Sequence, residues 1–250
     1  MLFTAGIFLL SLSLGALAQQ YHYHTPTGNG VYGVDISHYN KITNFSALIH
    51  NHAHPLRFVF AKGTEGHGYV EEVFVHYWNE IIHNGAVPGV YHFYRSDASV
   101  EDNLSNIRKN IFGRVKFDHK KHLFAVDFET NYSHRNKAAM AHDLNEFLTK
   151  FNKEHGFKPF IYVSSSFWAA NIGEAGHGHN FGDYPLWVAH WGPEHPLLPA
   201  AWKNYHVWQY SSIGRLPGVV GDIDLDWWQN PPDFVKHPEH HPPAHHPAHH

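Results

Sequence analysis

Short apolar runs alternate with longer amphipathic stretches along most of this chain, and that alternation limits what it can become. Strand-like runs recur at YGVDIS, FVFAKG, GVYHFY, LFAVDFE and FIYVS; helix-like stretches separate them at FSALIHNH, EEVFVHYWNEIIHNG, VEDNLSNIRKNIF and KAAMAHDLNEFLTKFNKEHG. Strands alternating with helices point to a parallel sheet, because parallel neighbours need a long crossover and the helix supplies it. The second and fourth stretches run into Gly85 and Gly156, a common way to end a helix. Three more strand-like runs follow, LWVAHW, HVWQYS and IDLDWW, with little room between them for full helices. About eight strands predict closure into one barrel rather than two small domains. The expected fold is therefore α/β: an irregular TIM-like (β/α) barrel whose last three strands are poor in helices.

The ends read differently from the middle. Residues 1–18 are apolar and uncharged, with small side chains at Ala16 and Ala18, which predicts a secretory signal peptide and a secreted product. A membrane span is disfavoured, since the apolar core falls short of the roughly 20 residues a spanning helix needs. Residues 19–30 read as a loose leading segment, residues 31–230 as the barrel domain, and residues 231–250 as a His/Pro-rich tail too poor in apolar side chains to pack. Cysteine is absent, which excludes a disulfide framework, a thiolate metal site and a Cys nucleophile. A net charge of -4 with no basic stripe argues against nucleic acid as a partner. The 27 histidines would turn the surface positive in mild acid and favour adsorption to anionic surfaces. For the tail histidines, solvated low complexity outweighs the sharper reading, weak Zn or Cu binding through neutral imidazoles.

The stretch HLFAVDFETNY carries the chemistry. Leu123 to Val126 look buried on both faces, and strand alternation turns Asp127 and Glu129 one way and Phe128 the other. Two acids crowded together cannot both ionise cheaply, so one should stay protonated, as a general acid requires. Taken alone, a D-x-E pair more often caps a helix or pairs with a basic side chain. In a barrel, however, the carboxyl ends of the strands converge on the site. That rule gathers Asp35 from the first strand, Asp127 and Glu129 from the fourth, and an acid from the last, where parity leaves Asp222, Asp224 and Asp226 open. Tyr91, Tyr162, Trp187, Trp191 and Gln209 fall at the same strand ends, and aromatic faces with hydrogen-bonding groups suit a sugar.

In order along the chain, GVDISHYN, FVFAKGTEG, GVYHFYR, AVDFET, FIYVS, LWVAHW, VWQYSS and GVVGDIDLDWW resemble the motifs of glycoside hydrolase family 25, the CH-type lysozymes. The resemblance spans residues 31 to 228. It implies an irregular barrel that cleaves the β-1,4 bond between N-acetylmuramic acid and N-acetylglucosamine in bacterial peptidoglycan. Carried over, it makes Glu129 the general acid, Asp127 the partner of the substrate's acetamido group, and Asp35 and Asp224 the flanking aspartates. It implies no cofactor and no metal, and a monomer is expected. Two rivals remain: a non-catalytic carbohydrate-binding barrel, and a metal-dependent barrel hydrolase. The second is weakened because His22 and His24, His52 and His54, and His177 and His179 avoid the strand ends. Residues 173–184 read as an insertion that could alter the groove. N-glycosylation sequons stand at Asn44, Asn103 and Asn131, the last expected to be unoccupied or turned away from the groove.

Overall fold

The computed structural model describes residues 23–238. The signal-peptide reading of residues 1–18 and residues 239–250 of the tail lie outside the described residues. Eight strands form the barrel: β1 (Gly30–Ile36), β2 (Leu56–Glu65), β3 (Val87–Phe93), β4 (Leu123–Asp127), β5 (Phe160–Ser164), β6 (Leu186–Ala189), β7 (Val207–Gly214) and β8 (Ile223–Gln229). They pair in sequence order, and β1 closes the ring by pairing with both β2 and β8.

The first seven strands run parallel, whereas β8 is antiparallel to both β7 and β1. The connection between β7 and β8 is too short for a crossover helix, so the chain turns back as a hairpin. Consequently the amino end of β8 meets the carboxyl ends of the other strands. Asp224 reaches the mouth by this reversal, not by ending a parallel strand.

Helices α1 (Phe45–Ile49), α2 (Phe74–His83), α3 (Val100–Ile107), α4 (Lys137–His155) and α5 (Ser165–Asn171) cover the early strands. Asn44, Ser99, Asn136 and Ser164 accept from backbone N–H groups at the starts of α1, α3, α4 and α5, satisfying donors the helices cannot. Gly156 ends α4 at φ 75°, a conformation that costs glycine least. Strand alternation makes two cores. Val59, Ala61, Val126 and Phe128 face the helices, joining Leu144, Phe147 and Phe151. Phe58, Phe60, Leu123, Ala125, Phe160, Trp187 and Trp228 fill the barrel. Gly33 and Gly89 make room there, since a Cβ at either would come within 2.4 Å of the Phe58 or Phe60 ring.

The packed chain continues past residue 230. Helix α6 (Asp233–Lys236) buries Val235 completely as part of the barrel core, and Phe234 packs on the same cluster. Deleting residues 231–250 is therefore expected to cost about 2 kcal/mol of stability from Val235 alone. Deleting only residues 239–250 should leave hydrolysis of soluble substrate unchanged. Thermal melts and activity of the two truncations compare the outcomes directly, and equal melting of both would contradict a packing role for α6.

Candidate active site

A cleft of about 340 Å³ opens at the mouth of the barrel, and Asp35, Asp127, Glu129 and Asp224 all line it. Tyr91, Tyr162, Trp187, Trp191 and Gln209 line it as well. Three larger cavities, of about 450, 500 and 630 Å³, contain none of these four acids, so chemistry and not size selects the site. Residues 173–184 do not line the cleft; Phe181 from that segment is buried edge-on against Trp168 instead.

Backbone register brings the acids together. Asp35 pairs across the sheet with Asp224, and Asp127 with Phe93 on one side and Tyr162 on the other. The three aspartates that parity leaves equivalent on the last strand have separate surroundings. Asp222 precedes the strand and pairs with Arg215 at 2.9 Å, while Asp226 is fully buried and accepts from Trp187 Nε1 at 2.8 Å. Asp224 alone of the three lines the cleft.

Gln209 is the brace of the floor. Its Oε1 accepts from the Tyr162 hydroxyl and from Trp191 Nε1, both at 2.9 Å, and its Nε2 donates to Asp35 Oδ2 at 2.7 Å. One amide on β7 thereby fixes a carboxylate from β1, a tyrosine from β5 and a tryptophan beyond β6. Trp187 lies beneath, stacked on Phe60 at 4.4 Å and nearly fully buried, so only its edge serves the cleft. Trp191 is 55% exposed and offers a ring face at the rim.

Burial dominates the electrostatics. It holds Asp35 and Asp127 well above the usual carboxylate range, and raises Asp224 to about 6 with help from the Glu129 charge and against a hydrogen bond to Asp35. Glu129 is accessible from the mouth, yet the protein around it raises its pKa by desolvation, opposed by Lys62. Burial is the first cause of the rise at both Asp127 and Glu129, and the like charge of the neighbouring acid adds to it within the pair. The titration expected of the histidines needs correction. His92 is fully buried, bonded to Thr64 and Asn103, and lowered by burial to about 4, while His155 and His206 are lowered too. These three resist charging in mild acid.

Sequence reasoning passed over Lys62. It lines the cleft almost completely buried, donates to Glu65 Oε2 at 2.7 Å, and lies 4.9 Å from the Phe93 ring centroid. Arg95 holds the other oxygen of Glu65 at 2.9 Å. The signal was in the strand: Phe58, Phe60 and Lys62 alternate inward, which places a cation among the acids at the end of β2. Lys62 favours the ionised forms of both Asp127 and Glu129. Lys62→Met is thus expected to move the whole pH–rate profile upward. An unmoved or downshifted profile would contradict this role.

Acids converging on an aromatic floor, at the mouth of a (β/α) barrel, define a glycoside hydrolase. Comparison with known proteins narrows the class. The family model of glycosyl hydrolases family 25 matches residues 34–219, and the chain belongs to that family. The match includes Asp35, Asp127 and Glu129 and stops before Asp224. Lysozyme M1 of Streptomyces globisporus is 29% identical over 205 residues, covering 78% of this chain and 67% of that protein. A bacterial lysozyme from Streptomyces coelicolor superposes with a TM-score of 0.70 at 27% identity, covering 80% of this chain and 93% of its own. A family GH25 lysozyme from Aspergillus fumigatus does so with a TM-score of 0.69 at 26% identity, covering 81% and 95%.

Proposed function

We propose that this chain is a muramidase, hydrolysing the β-1,4 bond between N-acetylmuramic acid and N-acetylglucosamine in bacterial peptidoglycan. The convergence of Asp35, Asp127, Glu129 and Asp224 in one cleft carries the reading. In it, Glu129 protonates the departing glycosidic oxygen, and the carbonyl oxygen of the substrate's own acetamido group closes on C1. Asp127 receives the acetamido N–H. Among the described residues the buried Oδ1 of Asp127 has no hydrogen-bond partner, and an unfilled acceptor in the cleft wall suits that role. Water then opens the ring that has formed, giving its proton to the Glu129 carboxylate.

Substrate would also decide where the proton sits. Burial raises both Asp127 and Glu129, and like charges this close do not both ionise cheaply. An N–H donated to Asp127 stabilises charge on that carboxylate and leaves the proton on Glu129, where catalysis needs it. Asp35 and Asp224 face each other across the paired strands, both raised by burial. Negative charge on this pair faces the oxocarbenium-like transition state. Trp191 supplies a stacking face for the sugar, with Tyr91, Tyr162 and Gln209 framing it.

The enzyme in this reading is a secreted monomer, residues 1–18 being its leader. The test is digestion of purified bacterial walls, followed by borohydride reduction and analysis of the new ends. Muramitol is the expected product; glucosaminitol would mean cleavage of the other linkage, and binding without new ends would leave a carbohydrate-binding barrel.

A further inference from the structure

Three sequons contain chemically equivalent asparagines, and the fold makes them unequal. Attaching a glycan replaces one of the two hydrogens on Nδ2, so an acceptor tolerates it only if that hydrogen is not already committed and the atom faces solvent.

Asn103 meets neither condition. It is fully buried at the first turn of α3, with Nδ2 donating to the Arg95 carbonyl at 3.1 Å and the Ser99 carbonyl at 2.9 Å. Its Oδ1 accepts from His92 Nε2 at 2.9 Å and from the Arg95 N–H at 3.2 Å. A glycan there would break a buried network that joins β3 to α3. Asn131 is half-buried and equally committed: Nδ2 donates to the Arg135 carbonyl at 2.8 Å and to Asn171 Oδ1 at 3.0 Å, and Oδ1 accepts from the Arg135 N–H at 2.9 Å. Those bonds tie the loop after β4, which carries Glu129, to α5.

Asn44 differs on every count. It is exposed, and its Oδ1 accepts from the Ala47 N–H at 2.9 Å as the cap of α1. Among the described residues its Nδ2 makes no hydrogen bond. A glycosylated amide keeps its oxygen, so the cap survives modification. The backbone around it is anchored, with Thr43 and Asn44 donating to the Gly218 carbonyl at 2.7 and 3.2 Å. Asn44 does not line the cleft.

We propose that Asn44 is the single N-glycosylation site of this chain when it folds in a eukaryotic secretory lumen, and that Asn103 and Asn131 stay unmodified. The donor is a polyprenyl-pyrophosphate-linked oligosaccharide. Asn44 Nδ2 bonds to C1 of its first sugar as the C1–O bond to pyrophosphate breaks, Nδ2 loses a proton, and the carrier pyrophosphate leaves. The inference needs lumenal delivery but not the muramidase reading, so the experiment supplies a leader of its own.

The full chain, placed behind an established host leader, is secreted from eukaryotic cells, and its mass is compared before and after peptide-N-glycosidase treatment. One glycan is expected, with glycosidase converting Asn44 alone to aspartate. Ser46→Ala removes the sequon and keeps the cap, and Asn44→Asp does so with a second capping residue; both should secrete without the glycan and keep full turnover. Ser105→Ala should leave the mass released by the glycosidase unchanged. Secreted, folded chain with an unmodified Asn44, or with glycan on Asn103 or Asn131, would overturn the proposal.

Discussion

Glu129→Gln is expected to lower wall hydrolysis at least 100-fold and to leave the melting temperature unchanged. A positioned general acid contributes about 10²–10⁴-fold, and the amide keeps the shape of the carboxyl while having no proton to give. Stability should survive because Glu129 is accessible at the mouth and makes no hydrogen bond among the described residues that the fold depends on. Asp127→Asn is the informative companion. Asparagine still has an oxygen for the acetamido N–H but carries no charge, so this variant should be slow in kcat with KM little changed. Initial rates on walls, with melts on the same samples, separate the two outcomes. Near-normal turnover in Glu129→Gln would remove Glu129 from the general-acid role, and a large drop in melting temperature would mean that it holds structure.

The parts of this site legible in the sequence were those set by local periodicity. Alternation placed Asp127 and Glu129 on the face opposite Phe128, and Phe128 is indeed buried in the outer core among the helices. Strand-helix alternation over the first five strands gave the parallel barrel and therefore the end where acids gather. What stayed hidden depends on how distant segments meet. The direction of β8 follows from a connection length, and the distinction among Asp222, Asp224 and Asp226 follows from register shifts between β8 and β7 that no local pattern encodes. Gln209 looked like a sugar-binding side chain in VWQYSS; only tertiary placement reveals that it braces Asp35, Tyr162 and Trp191. Val235 lies in a segment whose composition reads as unpacked, yet Val235 and Phe234 together pack on the barrel core, and a helical turn forms there. Lys62 is the exception, since the inward alternation of Phe58, Phe60 and Lys62 was available to be read.

Gathering acids at the mouth carries a cost, and Asp224→Asn should expose it as a gain in stability of up to about 3 kcal/mol at pH 8. The Asp224 pKa rises from 3.8 to about 6 on folding, chiefly through burial. A carboxyl raised by folding binds its proton more tightly in the native state. Its contribution is fully present below the unfolded value of 3.8, is lost as pH climbs towards about 6, and stays lost above that. Asp35, Asp127 and Asp226 are raised in the same direction, so the parent protein should melt higher at pH 5 than at pH 8. Asparagine at 224 can still donate to Asp35 but never ionises, so the variant should match the parent near pH 4 and exceed it at pH 8. For a domain of this size the gain corresponds to about 6–12 °C in melting temperature. Its activity should fall together with the charge that Asp224 presents to the transition state. Melts of parent and variant from pH 4 to pH 8 decide the matter: a parent most stable at pH 8, or a variant that melts lower than the parent there, would show that Asp224 is held by favourable contacts and that its burial is no burden to the fold.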